Sequence, residues 1–336
     1  MVSRDSPPST LSTSDITKIP AGGGSITLAV HGARAVFEEL SSAYPLKLLS
    51  PQVYERDVAI VYLLSYGGGL VAGDRVELDV KLKEGSKLLV LSQGSTKVFK
   101  TRPGQRLASI RANGAYTALP TPTDDSLTTQ TIRYTLLSKS SLFLLPDPVT
   151  CFRSASYNQI QTFNLAPDSS VVILDWLTSG RKALDEDWAF TRYYSENEVI
   201  IGDKRWAKDA MLLEADRETA QNVGRLGPLP RRTLGERLAP YSCYAMVLLY
   251  GQQVQKIIEK FRARFEAITV FKRGMPEDVI WSFSPIGLPG AEGCEGTGAV
   301  VRVAGKETEL VKGWLKEGLK GIEEVMGADV YRRAFA

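Results

Sequence analysis

The stretch Tyr66-Gly67-Gly68-Gly69-Leu70-Val71-Ala72-Gly73-Asp74, followed by Arg75-Val76-Glu77-Leu78-Asp79-Val80-Lys81-Leu82, decides how this chain folds. Gly67, Gly69 and Ala72 satisfy the dinucleotide pattern G-x-G-x-x-G/A, and an apolar run over residues 58–64 precedes them as a strand should. That fingerprint also needs a helix to open at the glycines, because the helix N-terminus holds the pyrophosphate. Here Val76, Leu78, Val80 and Leu82 alternate with charged residues instead, which is the period of a half-buried strand. A glycine turn between two strands replaces the cofactor site.

Outward from that turn the chain reads as β-rich. Strands are expected over residues 25–30, 35–40, 46–49, 58–66, 75–82 and 87–92, the last two joined by Lys83-Glu84-Gly85-Ser86. That junction recurs. Leu82-x3-Ser86-x-Leu88-x-Val90, Leu136-x3-Ser140-x-Leu142-x-Leu144 and Leu165-x3-Ser169-x-Val171-x-Ile173 share one spacing, with a weaker fourth copy near Ile110 turning at Asn113-Gly114. One supersecondary unit repeated in this way implies stacked rungs that bury each other's apolar faces. The expected fold is mainly β, with stacked β-hairpins in a β-helix-like two-layer scaffold rather than a closed barrel.

Two amphipathic helices follow late in the chain. One, over 252–266, carries Val254, Ile257, Ile258, Phe261 and Phe265 on one face. The other, over 306–327, carries Leu310, Val311, Trp314, Leu315, Leu319, Ile322, Val325 and Met326, with Gly327 as its C-cap. Either stripe packs on the sheet or docks a partner. Residues 1–20 read as a Ser/Thr/Pro-rich disordered tail, 21–336 as one β-rich domain, and 119–130 as a polar loop.

Composition narrows the function classes. Lys and Arg total 41 against 38 Asp and Glu, a net charge of +3, so no nucleic-acid footprint is expected. No run reaches the length of a membrane span. Three widely spaced cysteines (Cys151, Cys243, Cys294) suit a reducing cytosol better than a disulfide framework. The one histidine, His31, leaves almost no room for a closed site of nitrogen and sulfur ligands or for a His-based triad. A rival hydrolase reading rests on Asp185, Glu186 and Asp187 beside Trp188. On a strand only Asp185 and Asp187 would share a face, and a solvated loop is the plainer account.

The glycine turn with Asp74 is followed by Ser92-Gln93-Gly94-Ser95-Thr96-Lys97-Val98-Phe99. Further on come Pro146-Asp147-Pro148, Phe152, Val171-Val172-Ile173-Leu174-Asp175-Trp176, Gly180-Arg181 and Glu186-x-Trp188-x-Phe190. In this order and spacing, from about residue 28 to 213, the chain resembles the urease accessory protein D family, also called UreH. Gly67, Gly68, Gly69, Gly73, Gln93, Thr96, Lys97, Arg181 and Glu186 are the motif positions. The resemblance implies a cytoplasmic maturation chaperone, not an enzyme. Such a chaperone binds apo-urease, recruits accessory proteins F and G, and helps pass nickel from the GTPase G into the active site. It implies no tightly bound cofactor and no nucleic-acid or membrane partner.

Three carboxylates are candidates for a transient nickel path. Asp74 follows the glycine turn, where it either lines the path or caps the turn, and Lys97, read with Thr96 as the end of the second motif strand, could pair with it across the sheet. Asp175 interrupts an apolar run and is read as lying at the end of that strand, so it either pairs with Arg181 or Lys182 or faces a hydrated interior. Asp209 loosely matches a position where the family commonly has an acid, and otherwise reads as a surface residue. Scattered carboxylates hold borderline metals weakly, which suits conduction better than storage.

Overall fold

The computed structural model describes residues 19–53, 55, 57–100, 127–215, 232–268, 277–287 and 298–336. Most of the expected tail (1–18), most of the 119–130 loop, the fourth repeat at Asn113-Gly114 and Cys294 lie outside the described residues. Thr128–Gln130, assigned to the loop by sequence, already belong to a strand.

In chain order the strands are β1 (Gly23–His31), β2 (Arg34–Ser42), β3 (Leu46–Leu49), β4 (Val58–Ser65), β5 (Arg75–Leu82), β6 (Lys87–Ser92), β7 (Thr96–Val98), β8 (Thr128–Leu136), β9 (Ser141–Leu144), β10 (Val149–Cys151), β11 (Ser156–Leu165), β12 (Ser170–Thr178), β13 (Arg192–Ile201), β14 (Lys204–Glu214), β15 (Cys243–Tyr250), β16 (Val279–Ile286) and β17 (Gly298–Gly305). They form a seven-stranded sheet, β14-β13-β11-β8-β5-β1-β2, and a ten-stranded one, β16-β17-β15-β12-β9-β6-β4-β3, to which β7 and β10 attach. From β4 to β13 the chain crosses repeatedly from one sheet to the other. Within each sheet the successive rungs run parallel.

The two-layer helical winding is the architecture the repeat implies. The repeating unit is an arch, not a hairpin: Leu82 ends β5 in one sheet and Lys87 opens β6 in the other. The backbone bonds of its two strands go to neighbouring rungs, not to each other. Leu82, Leu136 and Leu165 stand in register in one sheet, and Leu88, Leu142 and Val171 in the other. The repeated serine closes each arch. Ser86, Ser140 and Ser169 are fully buried, and their hydroxyls donate to the carbonyls of Lys83, Leu137 and Ala166 at 2.6, 2.6 and 2.7 Å. A buried turn needs each carbonyl satisfied, and serine does so within the smallest volume.

The sheets differ in hydrophobic pattern because they differ in what covers them. The seven-stranded sheet has one face on the core, so β5 alternates exposed and buried along its whole length. The ten-stranded sheet is covered on both faces, so β12 is buried almost continuously. Val171, Ile173 and Leu177 of β12 face the other sheet, while Val172, Leu174 and Trp176 face helices.

Those helices are α1 (Leu234–Leu238), α2 (Gln255–Glu266), α3 (Thr308–Gly318), α4 (Glu323–Met326) and α5 (Ala328–Ala334). A 3-10 turn, Gln252–Val254, leads into α2, so the expected 252–266 helix is present. The 306–327 helix is broken after Gly318 by a 3-10 turn, Lys320–Ile322. Glycine is required at the break, because a Cβ on Gly318 would stand 2.6 Å from Phe261 Cζ. Gly327 terminates α4 at φ 89°, and Ile257, Phe261, Val311 and Leu315 are buried against the sheet.

Candidate functional site

The motif residues, scattered over 120 positions, pack together at one end of the scaffold. Leu70 N donates to the Lys97 carbonyl at 2.8 Å and Phe99 N to the Leu70 carbonyl at 2.9 Å, so the glycine turn is clamped by the second motif. Gly69 must be glycine: a Cβ there would lie 2.6 Å from Phe99 Cε2 and 2.7 Å from the Lys97 carbonyl. Gly67 and Gly68 take the left-handed conformation, at φ 76° and 80°, as does Gly73 at 78°. Thr96 and Lys97 do not end the preceding strand. They open the separate β7, parallel to β10, with Thr96 N donating to the Pro148 carbonyl. Lys97 and Gln93 are exposed. The turn at Gln93-Gly94 is held by Asp147, whose Oδ2 accepts from Gly94 N at 3.0 Å. Phe99 meets Phe152 edge-on at 5.3 Å, the Arg181 guanidinium stacks on Phe152 at 3.9 Å, and Glu186 grips Arg181 through two bonds of 2.8 and 2.6 Å. The Arg181 guanidinium beside it holds the buried Glu186 carboxyl below the usual carboxylate range. The cluster is architecture.

The three candidate aspartates occupy different settings. Asp74 Oδ2 accepts from Val71 N at 2.7 Å while Asp74 N returns to the Val71 carbonyl, so its carboxylate closes the glycine turn. Asp209 accepts from Arg302 Nη2 at 2.5 Å and has a side chain 18% exposed. Asp175 does not end its strand; β12 runs three residues further. Nor does it pair with Arg181, which is engaged by Glu186. It points between the sheets, where Val171, Ile173 and Leu177 of the same parity are core residues.

There it meets residues that sequence reasoning missed. Ser195 Oγ and Asn197 Nδ2 donate to Asp175 Oδ2 at 2.5 and 2.7 Å, and Gln159 Nε2 to Oδ1 at 3.2 Å. Gln161 Nε2 donates to Asn197 Oδ1 at 3.0 Å, and Tyr157 OH to Gln130 Oε1 at 3.0 Å. Gln159, Gln161, Ser195 and Asn197 are all buried. In register, Gln159 faces Ser195, Gln161 faces Asn197, and Asn197 faces Asp209. A polar seam therefore crosses the middle of the apolar interior, perpendicular to the strands, from Gln130 to Asp209. Its signal in the sequence is a pair of matched interruptions. Tyr157-x-Gln159-x-Gln161-x-Phe163 and Tyr193-x-Ser195-x-Asn197-x-Val199 each place two polar residues where alternation demands apolar ones.

Burial raises the Asp175 pKa above the ordinary carboxylate value, opposed by the Ser195 and Asn197 donors and reinforced by the nearby Asp209 charge. The seam thus presents oxygen atoms, one interior carboxyl and neutral amides. Such a donor set suits weak coordination of a divalent cation.

A family model, "UreD urease accessory protein", matches residues 21–334. The chain belongs to the UreD family. It is 36% identical over 328 residues to "Urease accessory protein 4" of Cryptococcus neoformans var. grubii, covering 94% of this chain and 95% of the relative. It is 30% identical to "Urease accessory protein D" of Arabidopsis thaliana (92% and 99% covered) and 32% identical to "Urease accessory protein UreD" of Sorangium cellulosum (93% and 84%). The resemblance carried by the glycine turn and its partner motifs thus extends through the C-terminal helices.

Other reactive groups of this UreD chain stand apart from the seam. His31 is exposed, 3.7 Å from Glu38. Cys151 and Cys243 are buried, and burial pushes both thiols up, which withholds the thiolates that bind soft metals. Among the described residues no three His, Cys, Asp or Glu side chains gather as a metal site. Asp185 and Asp187, the pair a hydrolase would need on one strand face, lie exposed on a turn where Asp185 is left-handed at φ 54°. Among the described residues no helix is long and apolar enough to cross a membrane.

Proposed function

We propose that this protein is a non-catalytic chaperone of urease maturation that binds apo-urease together with accessory proteins F and G in the cytoplasm. In that complex it gives nickel an oxygen-edged route along the polar seam. Nickel here is cargo, not a resident cofactor. The observation that carries the reading is Asp175, an acid placed among neutral donors in the centre of a two-sheet core. An apolar residue of similar volume would serve stability as well or better there, because a buried carboxyl costs free energy that its hydrogen bonds only partly offset. Asp209 stands at the solvent side of the same seam. Asp74, spent on its turn, shapes the scaffold. Weak oxygen donors let a cation enter and leave, whereas clustered thiolates or imidazoles would retain it.

A scaffold that holds the complex together without conducting is the second reading. It draws on the Arg302–Asp209 ion pair, which ties up the outer carboxylate. Co-expression with apo-urease and the F and G proteins, affinity capture, and nickel-dependent activation test the whole assignment. Capture of urease with activation is the expected result. No association with urease or its accessory proteins would end it.

A further inference from the structure

The solvent side of the seam already holds a cation. Arg302 stands on β17 opposite Met246 of β15, and Met246 stands opposite Asp175 of β12. In the other sheet Asp209 stands opposite Asn197. The amide of Asn197 binds Asp175 at 2.7 Å and the guanidinium of Arg302 binds Asp209 at 2.5 Å, so a closed circuit runs through both sheets. The Arg302 side chain is 54% exposed against 18% for Asp209, which puts the guanidinium outermost.

Two carboxylates flank Asn197, Asp175 hydrogen-bonded to its amide and Asp209 opposite it in register, and paired carboxylates are the charge that a divalent cation seeks among oxygen ligands. Arg302 takes up half of it. The guanidinium stays charged at every accessible pH, so it is a permanent occupant and not a switchable one. Met246 and Ser282, its neighbours across β15 and β16, carry no charge that would compete for it.

We propose that Arg302 is a tethered surrogate cation, which by engaging Asp209 keeps the seam one charge short of becoming a divalent-metal trap. The inference rests on reading the seam as the nickel route, and it supplies the reason the route does not retain its cargo. The plain alternative is a strap, in which the pair only ties the edge strand β14 to the ten-stranded sheet.

The test is a divalent-cation titration of the purified full chain. It uses manganese, followed by paramagnetic broadening of the Asn197 and Gln159 side-chain amides, and nickel, followed by calorimetry. Arg302→Gln is expected to gain one bound cation with at least about a tenfold lower Kd than the parent chain, as removal of a charge within the site requires. Arg302→Lys is expected to behave as the parent, and adding Asp209→Asn to Arg302→Gln to erase the gain. Arg302→Met, which keeps the aliphatic stem, carries the same test if the glutamine variant does not fold. A folded charge-neutral variant with no gain, or a gain that survives loss of the Asp209 charge, overturns the proposal. Nickel loading of urease unaffected by Asp175→Asn would remove the route reading, while the titration stands or falls by itself.

Discussion

Asn197 Nδ2 donates to Asp175 Oδ2 at 2.7 Å, joining β13, next to the edge of the seven-stranded sheet, to β12 of the ten-stranded one through an otherwise apolar interior. Neither residue is needed to fill the core, since Ile173 and Val199 do that two positions away. The bond requires two matched departures from apolar patterning, and it sits where a cation crossing the scaffold would meet a carboxyl.

Asp175→Asn should stabilise the fold near neutral pH. Burial raises the folded-state pKa of Asp175. Between the unfolded and folded values the folded chain therefore holds more protons, and stability falls as pH rises through the folded value. An asparagine never ionises, so its advantage should be present at about pH 7 and shrink as pH falls to about 4, the ordinary value for an aspartate. Urea unfolding at several pH values measures this. A variant less stable than the parent by the same amount at every pH would contradict it.

Glu186→Gln should show the opposite dependence. Arg181 lowers the folded-state pKa of Glu186, so the stability this carboxylate contributes is present above its unfolded value and lost as pH falls through the folded one. Replacing a charge-assisted bidentate contact with a neutral amide should cost roughly 1–3 kcal/mol near neutrality, with the difference closing in acid. Thermal unfolding across pH reads both features.

Gly69→Ala should be worse than Gly67→Ala. The first drives a methyl against Phe99 and the Lys97 carbonyl, at 2.6 and 2.7 Å, and should cost about 1–3 kcal/mol with displacement of β7. The second meets nothing within 4 Å and costs only its left-handed backbone, roughly 1 kcal/mol. Thermal melts of the two variants give the order, and a reversed order would contradict the clamp between the two motifs.

Sequence alone carried the winding because one unit repeats with one spacing. Leu82, Leu136 and Leu165 had to stack, and Ser86, Ser140 and Ser169 had to turn. It did not distinguish an arch from a hairpin, since the same turn residues serve both and only the pairing partner differs. The break at Gly318 was hidden for a related reason: the stripe continues through it, and only Phe261 on another helix demands the glycine. Asp175 was visible as an interruption of an apolar run, but its partners were not. Gln159, Ser195 and Asn197 lie on two other strands, and their convergence depends on register. Arg302 lies 93 residues from Asp209 and follows no motif, so its part in the seam appears only when the sheets are assembled.

The most direct measurement is the nickel content of urease matured in cells carrying Asp175→Asn in place of the parent chain, scored per complex captured. The account predicts intact capture of urease with markedly reduced nickel and activity. Full nickel content in an equally abundant complex would contradict it and leave the protein as a scaffold alone.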